Sequence, residues 1–266
     1  MKRLLITGAA GHLGGIARQG LGHLADTLRL SDISTIEKAQ DNEEIVPCDL
    51  TGKDAVQSLV SGCDGIVHMG GCRNENTWLR VREANIDGLF NLYEAARKNS
   101  KPRIVFASSN HAIGCYRQNE RLDARSATRP DGLYGVSKVF GEALASMYFD
   151  KFGIETASVR IGSCLDEPKN HRMLSTWLSP SDFLYLIECI FRVPVLGCPI
   201  IYGASNNDAS WWNNDAVAYL GWQPKDNAEA FRKKLDASLP PQKPTDPDAM
   251  YQGAKNVIDD IVEVPW

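Results

Sequence analysis

Tyr134 and Lys138 stand four positions apart in the segment Tyr134-Gly135-Val136-Ser137-Lys138. On a helix, positions i and i+4 share a face, so a phenol and an ammonium there enter the same site. A neighbouring ammonium favours phenolate and is expected to draw the tyrosine below its usual pKa of about 10, towards the range of a general base. The spacing alone is common in proteins. It gains weight from Ser108-Ser109-Asn110-His111, which directly follows an apolar run. If that run is a strand, its end and the helix open on one crevice, where a serine hydroxyl can hold a substrate oxygen while the phenol takes its proton. Ser109 is assigned to the substrate and Ser108 to a cofactor.

A second group of residues suits a dinucleotide. Gly8-Ala9-Ala10-Gly11-His12-Leu13-Gly14 follows the apolar run Arg3 to Thr7 and opens a helical stretch. Glycines so placed permit a tight turn, close approach of a pyrophosphate and close helix packing, while the helix N-terminus offers free N–H groups to the anion. Asp32 closes the next apolar run, where a carboxylate accepts both hydroxyls of an adenosine ribose. Ile33, Ser34 and Thr35 behind it carry no cation for a 2′-phosphate, which favours NAD over NADP. Asp49 and Leu50 at the third strand end, Met69, Gly70 and Gly71 after the fourth, and Ile161 at the sixth extend the same groove. His12 and Leu13 within the loop, and Asn85, join this cofactor set, as do Ser108, Tyr134 and Lys138. An asparagine inside an apolar helix also serves as a structural hydrogen-bonding group, and Asn85 has that second reading. A bound oxidised nicotinamide would add its positive charge to that of Lys138 beside the phenol.

Such residues need a parallel sheet to gather them. Arg3 to Thr7, Thr27 to Leu30, Glu44 to Val46, Gly65 to His68, Arg103 to Ala107 and Thr156 to Val159 read as strands. Between them lie helical patterns such as Trp78 to Lys98, with Ile86, Leu89, Phe90, Tyr93 and Ala96 at three- to four-residue spacing. The alternation predicts an α/β, Rossmann-type doubly wound parallel sheet over residues 1–160, with ligands at the carboxyl ends of the strands. Residues 161–238 are expected to form a small substrate lobe packed on the sheet, with a helix over Ser181 to Phe191, a short strand over Pro199 to Tyr202 that rejoins the sheet, and a helix over Asn227 to Leu235. Residues 239–266, with Pro240, Pro241, Pro244, Pro247 and Pro265, predict an extended tail with one short helix around Asn256, either flexible or packed on a neighbouring subunit.

Hydrophobic residues make up 43% of the 266, and charged residues 23%, so disorder is excluded as a whole-chain description. A net charge of −4 leaves no basic field for nucleic acid. No apolar run approaches the ~18 to 20 residues of a membrane helix, and the N-terminus lacks a signal-like core, so a cytoplasmic protein is expected. Seven scattered cysteines without a C-x-x-C pair fit reduced thiols in the core. The histidines show no paired metal-ligand spacing, and no serine lies in a nucleophile elbow.

The Gly8 loop, Asn85-Ile86-Asp87-Gly88, Ser109 and the Tyr134/Lys138 pair together resemble the extended short-chain dehydrogenases/reductases over roughly residues 1–235. Four segments are similar to those of bacterial uronate dehydrogenases: Phe106 to His111, Arg129 to Lys138, Val159 to Cys164 and Arg172 to Trp177. The resemblance implies oxidation of D-glucuronate or D-galacturonate at C1 by NAD to an aldaro-lactone, with Tyr134 as base, Lys138 tuning it and holding the ribose, and Ser109 positioning the hydroxyl.

A uronate is an anion, and Arg172 supplies a planar guanidinium suited to bidentate carboxylate recognition. Asn110, His111 and Ser163 add neutral polar groups, and Ser109 and Tyr134 complete the substrate set. Arg73 stands where related enzymes would carry a small hydroxyl residue, either as a second cation for the anion or pointing to solvent. The competing readings are a nucleotide-sugar epimerase or dehydratase, for which the lobe after Arg160 is small, and a non-enzymatic NAD-binding redox sensor, which has no use for the catalytic trio. A homo-oligomer is expected.

Overall fold

The computed structural model describes residues 1–262; Pro265 of the tail lies outside the described residues. The chain runs β1 (Arg3–Thr7), α1 (His12–Gly20), β2 (Thr27–Ser31), β3 (Glu43–Ile45), α2 (Lys53–Val60), β4 (Gly65–His68), α3 (Trp78–Val81), α4 (Gly88–Lys98), β5 (Arg103–Ser109), α5 (Leu133–Phe152) and β6 (Thr156–Ile161). It continues with β7 (Ser163–Cys164), α6 (Met173–Thr176), β8 (Trp177–Leu178), α7 (Pro180–Arg192), β9 (Ile200–Gly203), α8 (Arg232–Ser238) and α9 (Pro247–Met250). Seven strands form one sheet in the order β3-β2-β1-β4-β5-β6-β9, with every pairing parallel. The strand order reverses between β1 and β4, which opens the ligand crevice at their carboxyl ends. The chain is thus a Rossmann-type α/β protein.

Strands such as β4 and β6 are buried throughout, as a parallel sheet covered on both faces requires. On one face Ala17 of α1 and Phe183, Leu186, Ile187 and Ile190 of α7 pack against Leu4, Ile6 and Val105. On the other, Val56 and Leu59 of α2, Leu92 and Tyr93 of α4, and Leu144 and Tyr148 of α5 cover Leu5, Ile66 and Phe106. The segment after β6 divides. α7 and β9 join the main layers, while Leu174, Trp177, Ala228 and Leu235 make a small core of their own. Among the described residues no helix is long and apolar enough to cross a membrane.

Two elements differ from their sequence patterns. The helix over Trp78 to Lys98 is interrupted by a π-helical turn, Arg82–Asp87, whose additional residue per turn rotates one side chain out of the regular stripe. Asn85 sits in that turn and is buried. The tail, expected to be flexible or on a neighbour, docks on its own chain: Tyr251 bridges Arg117, and Gln252 is fully buried. A buried side-chain amide needs acceptors, and the Gln252 amide nitrogen finds them in the carbonyls of Arg117 and Glu120 at 3.1 and 2.9 Å.

Candidate active site

Gly8 adopts φ +70°, and a Cβ there would lie 2.7 Å from the backbone of Met69 and Gly70. At Gly14 a Cβ would come within 2.0 Å of the Gly8 carbonyl, so only glycine lets α1 press against the turn that follows β1. Asp32 leans over this turn, accepting from Ala10 N (3.0 Å) and Ser34 N (2.9 Å). A glycine cradle with a carboxylate at its lip fits the pyrophosphate and ribose of a dinucleotide. Leu13, Met69, Gly70, Gly71 and Ile161 line the crevice that leads from it. Leu50 packs behind, 3.2 Å from where a Gly70 Cβ would stand. Asp49 is exposed and turns onto Thr51, whose N–H and hydroxyl hold its carboxyl below the usual range. His12 is exposed, with Nε2 3.0 Å from the Cys164 carbonyl, which ties the start of α1 to β7.

Two members of the expected cofactor set are engaged elsewhere. The Asn85 amide is spent on the chain itself, accepting from Cys72 N (2.7 Å) and donating to Cys72 O (3.0 Å) and Ser137 Oγ (2.9 Å). It pins the loop after β4 to α5, the structural reading of a buried asparagine. Ser108 Oγ donates to Glu142 Oε1 at 2.6 Å, and Glu142 in turn takes two guanidinium nitrogens of Arg160. Alternation along β5 sends the Ser108 and Ser109 side chains to opposite faces, so the Ser108 hydroxyl commits its proton to Glu142 while the residue still borders the crevice.

The crevice as a whole encloses about 370 Å³, and Ser109, His111, Tyr134, Lys138, Ser163 and Arg172 line its substrate end. Lys138 Nζ lies 5.3 Å from the centre of the Tyr134 ring, so the two side chains share the face that their spacing predicts. The expected lowering of the phenol is not found. Burial pushes Tyr134 up to about 12, only partly offset by the Ser109 hydroxyl, and burial brings Lys138 down to about 8. Loss of hydration outweighs attraction across that separation, because each side chain must lose water to enter the site.

Ser109 Oγ accepts from His111 N at 3.2 Å, and Ser163 Oγ is 3.2 Å from Thr176 Oγ1. The Asn110 amide, oriented to satisfy both its ends, donates to the Ile161 carbonyl (3.2 Å) and accepts from Arg172 Nη2 (2.6 Å). Arg172 Nε donates to the Gln252 carbonyl at 2.7 Å, and Nη2 reaches the same oxygen. Its bidentate Nε/Nη2 edge is therefore occupied by the protein, and Nη1 is left for the cavity. Burial pushes this guanidinium down to about 10, still cationic at neutral pH, with Asp131 and Asp248 acting on it only from beyond ion-pairing distance. Arg73 is exposed at the rim.

Four residues that support the site carried no weight in the sequence reading. Glu75 caps α5, its two carboxylate oxygens accepting from Leu133 N and Tyr134 N at 2.9 Å each, where the N-cap residue Gly132 has no side chain to do so. Asp131 holds His111, and Gln252 holds Arg172. Glu142 alone had a legible signal, one turn beyond Lys138 on the same helical face.

The chain matches the NAD dependent epimerase/dehydratase family over residues 4–178. It belongs to that family. It is therefore an enzyme of an NAD-dependent class, and the cofactor is NAD. Among curated relatives it is 58% identical to the uronate dehydrogenase of Agrobacterium fabrum, covering 95% of this chain and 96% of that one. It is 51% identical to the uronate dehydrogenase of Pseudomonas putida, over 94% of each. A crystal structure of a point mutant of the Agrobacterium tumefaciens uronate dehydrogenase complexed with NAD superposes with a TM-score of 0.98 at 57% identity, covering 99% of this chain and 100% of that one.

Proposed function

We propose that the chain oxidises a hexuronic acid, D-glucuronate or D-galacturonate in its ring form, at C1 to the aldaro-lactone. NAD, when bound, supplies the acceptor for the hydride that leaves C1. Tyr134 Oη takes the proton of the C1 hydroxyl, so the anomeric carbon becomes the lactone carbonyl as hydride and proton depart. Ser109 holds that oxygen, and Lys138, fixed on the same helical face, stabilises the phenolate and reaches the ribose. Gly8, Gly11, Gly14 and Asp32 hold the dinucleotide, with Leu13, Met69, Gly70, Gly71 and Ile161 along its path.

The observation that carries the reading is Arg172. A guanidinium lining the same cavity as the proposed base is held by a carbonyl and an amide oxygen and, among the described residues, by no carboxylate, so its charge is left for an anionic substrate. Asn110, His111 and Ser163 supply the remaining polar contacts to the ring.

The test is NADH formation followed by absorbance against uronic acids, their neutral aldoses and UDP-sugars. Turnover of uronates with stoichiometric NADH release supports the reading. Conversion of UDP-sugars with the cofactor returned to its starting state would replace it with an epimerase.

A further inference from the structure

The segment after α8 crosses back over the substrate side of the crevice and ends beside Arg172 and His111. Gln252 anchors it with every polar group the residue has. Its N–H donates to the Tyr116 carbonyl at 2.8 Å, its amide nitrogen donates to the carbonyls of Arg117 and Glu120, and its amide oxygen accepts from Trp212 Nε1 at 2.9 Å. The remaining group, its carbonyl, faces Arg172 and takes both Nε and Nη2. The next residue, Gly253, lies so close to Asp131 that a Cβ would stand 1.9 Å from Oδ2. Asn256 Nδ2 is 3.5 Å from His111 Nδ1. One short stretch of chain thus abuts two candidate substrate residues and the carboxylate behind one of them.

An arginine side chain is long, and fixing it costs rotamer entropy. Where the protein holds the guanidinium before substrate arrives, that cost is not charged to binding. The holder matters as well as the holding. A carboxylate at the Gln252 position would neutralise the cation, whereas a peptide carbonyl orients it and leaves its net charge in place.

We propose that Gln252 is a positioning residue for substrate selection: through its backbone carbonyl the C-terminal strap, residues 247–257, sets Arg172 with Nη1 towards the cavity, and so gives the site its preference for a uronate over the matching neutral aldose. The inference rests on the assignment of Arg172 to the substrate carboxylate.

Gln252→Ala, Trp212→Phe and Arg172→Ala are compared with the parent enzyme by kcat/KM for galacturonate and galactose, by KM for NAD, and by the Kd for galacturonate in the presence of NADH, where no turnover occurs. Gln252→Ala removes the anchors of the strap and is expected to weaken uronate about 10-fold or more in Kd and KM, leave KM for NAD within about twofold, and narrow the galacturonate-to-galactose ratio in the direction set by Arg172→Ala. Trp212→Phe, which removes one anchor only, shifts the same quantities less and serves where Gln252→Ala does not fold. Equal losses for both sugars, or an unchanged uronate Kd, in strap variants while Arg172→Ala collapses the ratio would overturn the positioning role and leave the Arg172 assignment standing. An unchanged ratio in Arg172→Ala would overturn the assignment and this inference together.

Discussion

Nδ1 of His111 lies 2.8 Å from Oδ2 of Asp131, and the carboxylate is shut off from solvent. The pairing places the Nδ1 proton towards Asp131 and leaves Nε2 as the nitrogen that can address a ligand. The imidazole also meets the Tyr134 ring edge-on at 5.8 Å between centroids. A residue that touches both the proposed base and the cavity is thereby held in one tautomer and one orientation.

Asp131→Asn keeps the shape of the pair and loses its directionality, because an amide can offer either an oxygen or an N–H to Nδ1. We expect kcat/KM for uronate to fall by about 1–3 kcal/mol in transition-state binding, with KM for NAD unchanged. Steady-state kinetics decide it. Parent-like values in Asp131→Asn would show that the tautomer of His111 is immaterial.

Tyr134→Phe removes the proton acceptor but none of the packing. Turnover should drop to background while the affinity for NAD, measured by fluorescence quenching or calorimetry, stays within about twofold. Residual activity near that of the parent would dismiss Tyr134 as the base.

The shifts at Tyr134 and Lys138 fix the sign of two pH effects. A phenol pushed up to about 12 is protonated at neutral pH, so kcat/KM should climb with pH through the alkaline range. For stability, Lys138 folds with a pKa near 8 instead of 10.5. Between those values the unfolded chain binds the extra proton, and stability therefore rises with pH across that window and carries the full penalty below it. Lys138→Met should consequently be the more stable protein at pH 7, by on the order of 3 kcal/mol, with the gap closing towards pH 10.5. Denaturation at pH 7 and pH 10 measures it, and a variant that is less stable at pH 7 would contradict the burial penalty.

How much of the site could be read from the chain follows from the range of each signal. Tyr134, Lys138 and the Gly8 loop are local patterns, in which spacing on a helix or a turn fixes the geometry. Ser108 was legible without its partners, because its place on β5 is local, while the Glu142–Arg160 pair it bonds is assembled by α5 and β6. The direction of the Tyr134 shift failed for a related reason: the sequence shows the charge next to the phenol but not the water taken from both. For Asn85 the residue type already offered the structural reading, but nothing in an apolar periodicity announces the π turn that carries it. Gln252 meets Arg172 only through the return of the tail, and no periodicity links the two. The doubly wound parallel sheet was legible because alternating strands and helices allow few parallel arrangements.

Asp32→Ala removes the carboxylate that leans over the glycine turn. It should weaken NAD by about 1–3 kcal/mol and narrow the preference over NADP, since both an acceptor for ribose hydroxyls and a charge repelling a 2′-phosphate are lost. Part of the loss is conformational, because Asp32 also accepts from Ala10 N. The ratio of kcat/KM for the two cofactors separates these contributions: a loosened turn weakens both equally, whereas removal of the charge favours NADP.

Arg172 gives the most discriminating substitution. If its guanidinium binds the uronate carboxylate, Arg172→Ala should lose about 2–4 kcal/mol of transition-state binding, roughly 30- to 1000-fold in kcat/KM, with little change in KM for NAD. Part of that loss comes from groups left behind, since the Gln252 carbonyl and the Asn110 amide oxygen lose their donor. Arg172→Lys restores a charge, but a single ammonium cannot serve Gln252, Asn110 and the substrate in the planar arrangement of the guanidinium. Recovery should therefore be partial, and both variants should lose the preference for uronates over neutral aldoses. Kinetics with galacturonate and galactose side by side provide the measurement. Equal losses for the two sugars would make Arg172 a structural residue, and His111 or Arg73 would then be the next group to test against the carboxylate.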